Sequence, residues 1–266
     1  MSFLLNIPRA ERKVFKRHFL SSVHSEIRYR PLEVEKILDK KEELISEFKL
    51  LGFSENKDLI HGEFKFDVAV EQGAKLTQKT MPIGIVFSNQ SPKCELKIEK
   101  DKIVYSDFNY SSFEEFQSRF RAIFEKVSEI LSFSDDSIVN KIGFKKINSV
   151  AIQPITSFQD SLSIFNAALF GIARSDLFKF DKFKVCEETI VLEETNDKLF
   201  ILRTRLTKSQ EDSADAVIDS DFVKLGKDIS IDEVFNEILP SLNQCHFDLF
   251  MWSVTDDMRN LMESEQ

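Results

Sequence analysis

The stretch Ile142–Gln153, IGFKKINSVAIQ, lies near the middle of this 266-residue chain, and the rest of the chain is organised around it. Successive side chains of a β-strand point to opposite faces, so every second residue shares a face. Ile142, Phe144, Lys146 and Val150 have the same parity, which predicts a strand with one largely apolar face. The segments before and after this central strand follow one common plan.

The first half begins with a strand and a helix. FLSSVHSEIRY at 19–29 alternates closely enough to predict a strand. Apolar residues then recur at spacings of three and four over Leu32–Leu51, which predicts a helix. Residues 61–110 change to a period of two and predict an antiparallel meander with one solvent-exposed face. Ser111 or Ser112 caps a second helix.

The second half repeats this order of strand, helix, meander and helix after the central strand. Its predicted elements are a helix at Phe158–Phe170, strands near 183–194, 198–207 and 216–225, and a last helix that Ser230 caps and Pro240 kinks or divides. The sequences of the two halves do not align, so the repeat is one of topology.

The order of elements predicts the fold class. We expect an α+β protein of two pseudo-repeated β-α-β(3-4)-α units, with antiparallel sheets covered by helices on one face. This is the order of TATA-binding-protein-like and helix-grip-like folds, and order alone implies no shared function. We expect a basic N-terminal arm at 1–18, a first unit at 19–135 and a second unit at 136–266, together forming one compact body.

Composition narrows the class of protein. The net charge of −9 disfavours general nucleic-acid binding, because neutralised phosphates supply most of that affinity. The basic segment 1–30 can still contact an anion or an acidic partner. Cys94, Cys186 and Cys245 form no CxxC motif, which favours a reducing compartment, and we expect the cytoplasm. No apolar run approaches the ~20 residues that span a bilayer, so we expect no membrane segment.

The search for catalytic motifs finds none. The chain has no glycine-rich phosphate loop, no HExxH and no GxSxG motif. Cys245 and His246 are adjacent, and neighbours on a helix point ~100° apart, which disfavours a shared metal site or a nucleophile–base pair. We therefore expect neither metal nor cofactor, and a protein without enzymatic activity is favoured.

The candidate binding residues lie on predicted strands and on the last helix. Arg28 can pair with a carboxylate of a partner or simply face solvent, Asn148 can bend the central strand, and His246 can bind or pack within its helix. Arg203 and Arg205 belong to a mixed-charge sheet face. That predicted face comprises Lys65, Asp67, Lys97, Glu99, Lys145, Glu193, Arg203 and Arg205. Mixed charge suits a protein partner better than a polyanion.

Three stretches resemble a sporadically distributed bacterial family of about this length, whose function is not established. They are VHSEIRYRPLE at 23–33, GFKKINSVAI at 143–152 and CHFDLFMWSVTDDMR at 245–259. The residues that match the family's short motifs are Glu26, Arg28 and Tyr29, then Ile147 and Asn148, then His246, Phe250 and Thr255. Lys145 and Lys146 stand where the family has Arg-Tyr. The resemblance implies the same fold and a bacterial source, and its patchy distribution is typical of genes on mobile or defence islands.

These observations predict a non-enzymatic interaction protein of the bacterial cytosol, with a protein partner or a second copy of itself. A role as a defence-system accessory or a toxin-neutralising partner is the narrower hypothesis. The alternative is a nucleic-acid-binding module that uses the basic N-terminus and a sheet face. A third hypothesis, an enzyme assembled around Arg28, Asn148 and His246, requires these three residues to lie together.

Overall fold

The chain folds into a large antiparallel β-sheet with a few helices, an α+β fold. The structure is a computed structural model, and it describes residues 5–15, 18–69, 73–133, 139–155, 157, 160, 163–171, 179, 182–194, 197–210 and 212–263. The side chains of 63–79 and 167 lie outside this description. The prediction of an α+β protein with antiparallel pairing is confirmed at this level.

The strands are named in chain order. They are β1 (Leu20–Tyr29), β2 (Glu55–Ala69), β3 (Gly73–Gln90), β4 (Lys93–Glu99), β5 (Lys102–Asp107), β6 (Val139–Ile152), β7 (Val185–Glu194), β8 (Lys198–Gln210) and β9 (Ser213–Ile229). The helices are α1 (Val34–Asp39), α2 (Lys41–Leu50), α3 (Phe113–Ile130), α4 (Ile231–Glu233), α5 (Leu239–Ser253) and α6 (Asp256–Glu263). A 3₁₀ helix spans Ala167–Phe170, and a π-helical turn, Val234–Ile238, joins α4 to α5.

Within the described residues, nine strands form one sheet in the order β2-β3-β4-β5-β1-β6-β9-β8-β7. This sheet is larger than the three or four strands predicted for each meander, because the first strands of the two halves pair with each other. In that central pair, His24 of β1 lies opposite Lys145 of β6, and Ser25 lies opposite Phe144. The central stretch therefore lies in the middle of the sheet, where it joins the two halves.

Helices α3 and α5 cover one face of the sheet. The apolar stripe of α3 includes the fully buried Phe120 and Phe124, and the hydroxyl of Ser112 caps the helix by accepting a hydrogen bond from the Glu115 amide at 3.1 Å. The α5 helix packs against β6 and β9. Many phenylalanines fill the space between these layers, where their rings bury large apolar areas.

Some predicted elements differ from those in the structure. The helix predicted over 32–51 is divided into α1 and α2 at Lys40. The strands predicted near 198–207 and 216–225 extend further towards each other, since Gln210 of β8 already pairs with Ser213 of β9. The helix predicted at Phe158–Phe170 falls partly outside the described residues, and the described part ends in the 3₁₀ helix.

The last helix passes Pro240 without breaking. A π-helical turn precedes Pro240, and α5 continues to Ser253. In a π turn the hydrogen bond spans five residues instead of four, and this accommodates residues that disturb the α-helical pattern. The predicted kink at Pro240 therefore takes the form of a local widening of the helix.

The hairpin of β2 and β3 extends past the rest of the sheet. β3 pairs with β4 only over Gly84–Gln90, whereas its pairing with β2 continues to Gly73. The ribbon leaves the sheet at Gly84, where a Cβ atom would lie 2.1 Å from the Ile98 carbonyl oxygen. Only glycine fits that close approach of two backbones.

Candidate functional site

Strand β6 presents different chemistry on its two faces. Phe144 is fully buried against Phe116 of α3, with ring centroids 5.6 Å apart. Lys145, the next residue, lies on the other face and forms an ion pair of 2.7 Å with Asp219 of β9. Lys146 returns to the helix-covered face. Two candidate sites follow from this alternation, a cavity on the covered face and a charged surface on the open face.

The cavity lies between the sheet, the start of α3, α5 and the N-terminal segment, and has a volume of about 180 Å³. Its apolar wall is formed by Phe15, Leu20, Tyr110, Phe113, Ile218, Phe247, Leu249 and Phe250. The polar groups that line it from the sheet and α5 include Ser220 of β9, Lys146 and Asn148 of β6, and Asn243 and His246 of α5. Sites for small ligands commonly combine an apolar wall with a few fixed polar groups in this way.

Lys146 is the charged group that β6 places in this cavity. Its Nζ donates a hydrogen bond of 2.7 Å to the Asn243 Oδ1 and lies 5.3 Å from the ring centroid of Tyr110 and 5.5 Å from that of Phe144. Part of the side chain remains accessible because it faces the cavity. Desolvation by the surrounding apolar groups, together with the nearby Arg12, lowers the pKa of Lys146 to about 7.

His246 is buried and connects α5 to two strands. Its Nε2 lies 2.7 Å from the Phe144 carbonyl oxygen, and its Nδ1 lies 2.8 Å from the Ser220 hydroxyl. Burial holds the pKa of His246 well below its ordinary value, so the ring is neutral. A carbonyl oxygen can only accept, so Nε2 carries the proton and the Ser220 hydroxyl donates to Nδ1. With both nitrogens engaged, His246 fixes α5 on the sheet.

The N-terminal segment forms the outer wall of the cavity. The Ala10 amide donates to Asp248 at 2.8 Å, and the Gln244 side chain donates to the Ala10 carbonyl at 3.0 Å. The Phe15 ring lies 5.9 Å from the ring of Phe250. Arg12 is paired with Glu114 at 3.4 Å. Residues of the predicted basic arm therefore lie against α5 and the start of α3.

The open face of the sheet carries paired opposite charges. The distances between nitrogen and oxygen are 3.0 Å for Lys97–Glu95, 2.9 Å for Lys141–Glu26, 2.7 Å for Arg28–Glu26, 3.6 Å for Arg203–Asp219 and 3.9 Å for Arg205–Glu187. Hydrogen bonds from Arg28 and Lys141 outweigh burial and lower the pKa of Glu26. Lys65 and Asp67 of the predicted set have side chains outside the described part of the chain.

Two further groups on the open face have shifted pKa values. Burial raises the pKa of Asp221 to about 6, although Lys141 and Lys145 oppose that shift. Burial and Lys145 lower the pKa of His24 to about 4, and both ring nitrogens of His24 are hydrogen bonded to serine hydroxyls. Both residues line a groove near the middle of the sheet.

The predicted site residues fall into two groups. Asn148 and His246 line the cavity, whereas Arg28, Arg203 and Arg205 belong to the charged surface. Arg28 lies opposite Lys141, seven residues along β6 from Asn148, which is about 23 Å at the usual rise per residue. The structure therefore does not bring Arg28, Asn148 and His246 together.

Sequence reasoning did not identify Lys146, Asn243, Ser220 and Tyr110 as site residues. One signal was present: Lys146 has the parity of Ile142 and Phe144, which places a lysine on an apolar strand face. Its partners come from distant segments of the chain, and no local pattern links them to it.

The described residues hold neither a metal-binding cluster nor a helix that could span a membrane. They contain no group of three or more His, Cys, Asp or Glu side chains that could hold a metal ion. Within the same ranges, none of the helices combines the length and apolar character needed to cross a membrane.

Comparison with known proteins does not assign the chain to a family. No protein-family model matches the chain, and no curated protein sequence matches it. Among solved structures, the di-domain ARO/CYC StfQ from the steffimycin biosynthetic pathway aligns over 91% of this chain and 96% of that chain. The sequence identity is 7% and the TM-score is 0.21, so this likeness carries no argument about fold or function.

Proposed function

We propose that this is a non-enzymatic binding protein whose open sheet face engages a partner protein. The observation that carries this proposal is the pattern of opposite charges on that face, where Lys97–Glu95 at 3.0 Å and Arg205–Glu187 at 3.9 Å are typical pairs. A surface with both signs of charge in fixed positions discriminates between partners by complementarity of charge, which is how protein interfaces gain specificity.

The same pairing argues against a polyanion as the partner. Nucleic acids are held by lysines and arginines that neutralise phosphates, and on this face Lys97, Lys145 and Arg203 already have a carboxylate beside them. In the N-terminal segment, Arg12 pairs with Glu114 and Lys13 with Glu263. The nucleic-acid alternative requires these pairs to open, and it predicts a salt-dependent gel shift that we do not expect.

The narrower proposal is that the partner belongs to a bacterial defence or toxin-neutralising system in the cytoplasm. It rests on the resemblance of the stretches around Arg28, Asn148 and His246 to the sporadically distributed family. Deleting the gene from its native host and challenging the cells with phage or with a co-encoded toxin tests it, and unchanged survival would contradict it.

We also infer that the two halves are pseudo-repeats of one unit. Support comes from the strand order, which reads β1-β5-β4-β3-β2 outward from the centre in one direction and β6-β9-β8-β7 in the other. In each half the first strand is central, and the later strands follow in reverse order. Separate expression of 19–135 and 136–266 tests whether each half folds as a unit.

The proposed partner interaction is tested by charge-swap variants that keep each intramolecular pair but reverse its direction. The two swaps are Lys97→Glu with Glu95→Lys, and Arg205→Glu with Glu187→Lys. Each swap preserves the attraction within the pair and changes the electrostatic potential at the surface that a partner would contact. The tagged full chain is used to isolate partners from native lysate, with and without nuclease. We expect a stoichiometric protein that survives nuclease and whose recovery falls at least tenfold with the combined swaps.

The matched control is the swap Lys40→Glu with Glu43→Lys, an exposed pair of 2.8 Å away from the sheet face. This variant should retain the partner fully. Recovery of the partner by every variant alike would overturn the proposal, as would recovery of nucleic acid alone or of no macromolecule. Light scattering of the purified protein identifies a second copy of the chain as the partner, and the swaps must then reduce dimer formation.

A further inference from the structure

The cavity beside Lys146 is independent of the open face and has the size of a small-molecule site. Its volume of about 180 Å³ slightly exceeds that of an engineered apolar cavity of about 150 Å³ that binds benzene. The wall includes the side chains of Phe15, Ile218, Leu249 and Phe250. The available space therefore suits one ring or a short branched alkyl chain.

The polar end of the cavity contains a cation without an anion. An ammonium group has three donors, and among the described residues Lys146 has one hydrogen-bond acceptor, the Asn243 Oδ1 at 2.7 Å. No described carboxylate lies within ion-pair distance of Lys146. The carboxylate that lines the cavity, Glu114, is paired with Arg12. The side-chain amide of Asn148 also lines the cavity, and it forms no hydrogen bond within the described part of the chain.

We propose that this cavity binds a small organic monocarboxylate with an apolar body about the size of a benzene ring. The carboxylate accepts hydrogen bonds from the Lys146 Nζ and from the Asn148 amide, and the apolar body lies against Phe15, Ile218, Leu249 and Phe250. The ligand supplies the charge that the ammonium lacks, while its ring fills space that water occupies poorly.

Other classes of ligand fit the cavity less well. A phosphate or other dianion needs several free donors, commonly an arginine fork, and Arg12 is already engaged by Glu114. A cationic ligand would be repelled by Lys146, and a neutral ligand would leave the ammonium without an anion. A single negative charge on an apolar body matches both ends of the cavity.

Binding should be linked to proton uptake. The pKa of Lys146 is lowered to about 7 in the free protein, and a bound carboxylate favours the charged amine and raises that pKa. Affinity therefore falls as pH rises above about 7. The other titratable or charged side chains that face the cavity are Arg12, Lys13, His18, Tyr110, Glu114 and His246. Burial keeps His246 neutral and raises the pKa of Tyr110, so neither changes charge near pH 7.

Calorimetry with the full chain tests the proposal, with benzoate, benzylamine and benzyl alcohol as probes. We expect benzoate to bind at least tenfold more tightly than benzyl alcohol, and benzylamine not to bind. Between pH 6.5 and pH 8.5 the benzoate affinity should fall by up to about 25-fold, the ratio set by titration of a group with a pKa near 7. Equal binding of benzoate and benzyl alcohol, or no binding of benzoate, would overturn the proposal.

Two site variants and one control variant test whether Lys146 is responsible for benzoate binding. Lys146→Met removes the cation and should abolish benzoate binding, whereas Lys126→Met on the exposed side of α3 should leave it unchanged. Asn243→Asp supplies an internal carboxylate to Lys146 and should also abolish binding, and it tests the same point if Lys146→Met fails to fold. Wild-type affinity in either site variant, with circular dichroism showing a native spectrum, would contradict the assignment.

Discussion

Lys145 and Lys146 are neighbours in the sequence, yet they occupy the two opposite faces of the sheet. The Lys145 ammonium lies 2.7 Å from the Asp219 carboxylate on the open face. The Lys146 ammonium lies beneath α5 beside an amide and two aromatic rings, and burial lowers its pKa to about 7. One residue type in one strand thus forms a surface ion pair at one position and a titratable cavity group at the next.

The difference shows that the layer packed on each face determines the role of a strand residue. Water screens the pairs on the open face, so each contributes little to stability and remains available for recognition. On the covered face water screens much less, so a polar atom left there without a partner is costly. Substitutions on the two faces should therefore change the free energy of unfolding by different amounts and with different dependence on pH.

The largest difference is expected between Phe144 and Lys145. Phe144→Ala removes a fully buried ring that contacts Phe113, Phe116 and His246, and should lower the free energy of unfolding by about 3–5 kcal/mol. Lys145→Ala removes a partly exposed ion pair and should cost about 0–1 kcal/mol. Urea unfolding of both variants measures the contrast, and similar costs would show that the two faces are not distinct.

Substitution of His246 should have the next largest effect on the free energy of unfolding. His246→Phe keeps an apolar ring but removes two buried hydrogen bonds, to the Phe144 carbonyl and the Ser220 hydroxyl, and should cost about 2–3 kcal/mol. His246→Phe leaves the Ser220 hydroxyl with only a long contact of 3.5 Å to the Lys146 carbonyl, and adding Ser220→Ala removes that hydroxyl, so the double variant should be more stable than His246→Phe alone. Denaturant unfolding of the three proteins measures this coupling. A double variant less stable than the single variant would argue against the hydrogen bond.

Lys146 should make stability depend on pH above neutrality. Its pKa is about 7 in the folded protein and near its ordinary value of 10.5 in the unfolded chain, so the unfolded chain binds more protons between these values. Stability therefore rises with pH from about 7 to 10 through this group. Lys146→Met should raise the free energy of unfolding at pH 7 by about 1–2 kcal/mol and flatten that rise. An unchanged slope between pH 7 and pH 9.5 would exclude this role.

Asp221 should have the smallest effect on stability, and its pH dependence should have the opposite sign to that of Lys146. Burial raises its pKa from 3.8 to about 6, so the folded protein binds more protons between these values and this group's contribution to stability falls as pH rises through them. Asp221→Asn mimics the protonated carboxyl and should stabilise the protein by about 1 kcal/mol at pH 7.5, and by less at pH 4. Thermal unfolding at both pH values measures the difference, and equal stabilisation at both would point to another cause.

Much of the local structure could be predicted from the sequence, because alternation and capping are local signals. The central strand, the helix that begins after Ser111 or Ser112, and the position of Arg203 and Arg205 on the open face illustrate this. The pairing of β1 with β6 could not, since alternation shows which face a residue takes and not which strand lies beside it. The cavity could not be predicted either, because Lys146, Tyr110 and Asn243 come from distant segments and meet only once the sheet and both helices have packed together.

The π-helical turn Val234–Ile238 contains one residue more than an α-helical turn would. Each residue of an α-helix advances the chain by about 100°, so everything after this turn is rotated by about that angle relative to an uninterrupted helix. Asn243 and His246 reach the cavity because of that rotation. A deletion of one residue here would preserve helix propensity and Pro240 but turn both side chains away from the sheet. Selection in this segment should therefore act on the number of residues more strongly than on their identity.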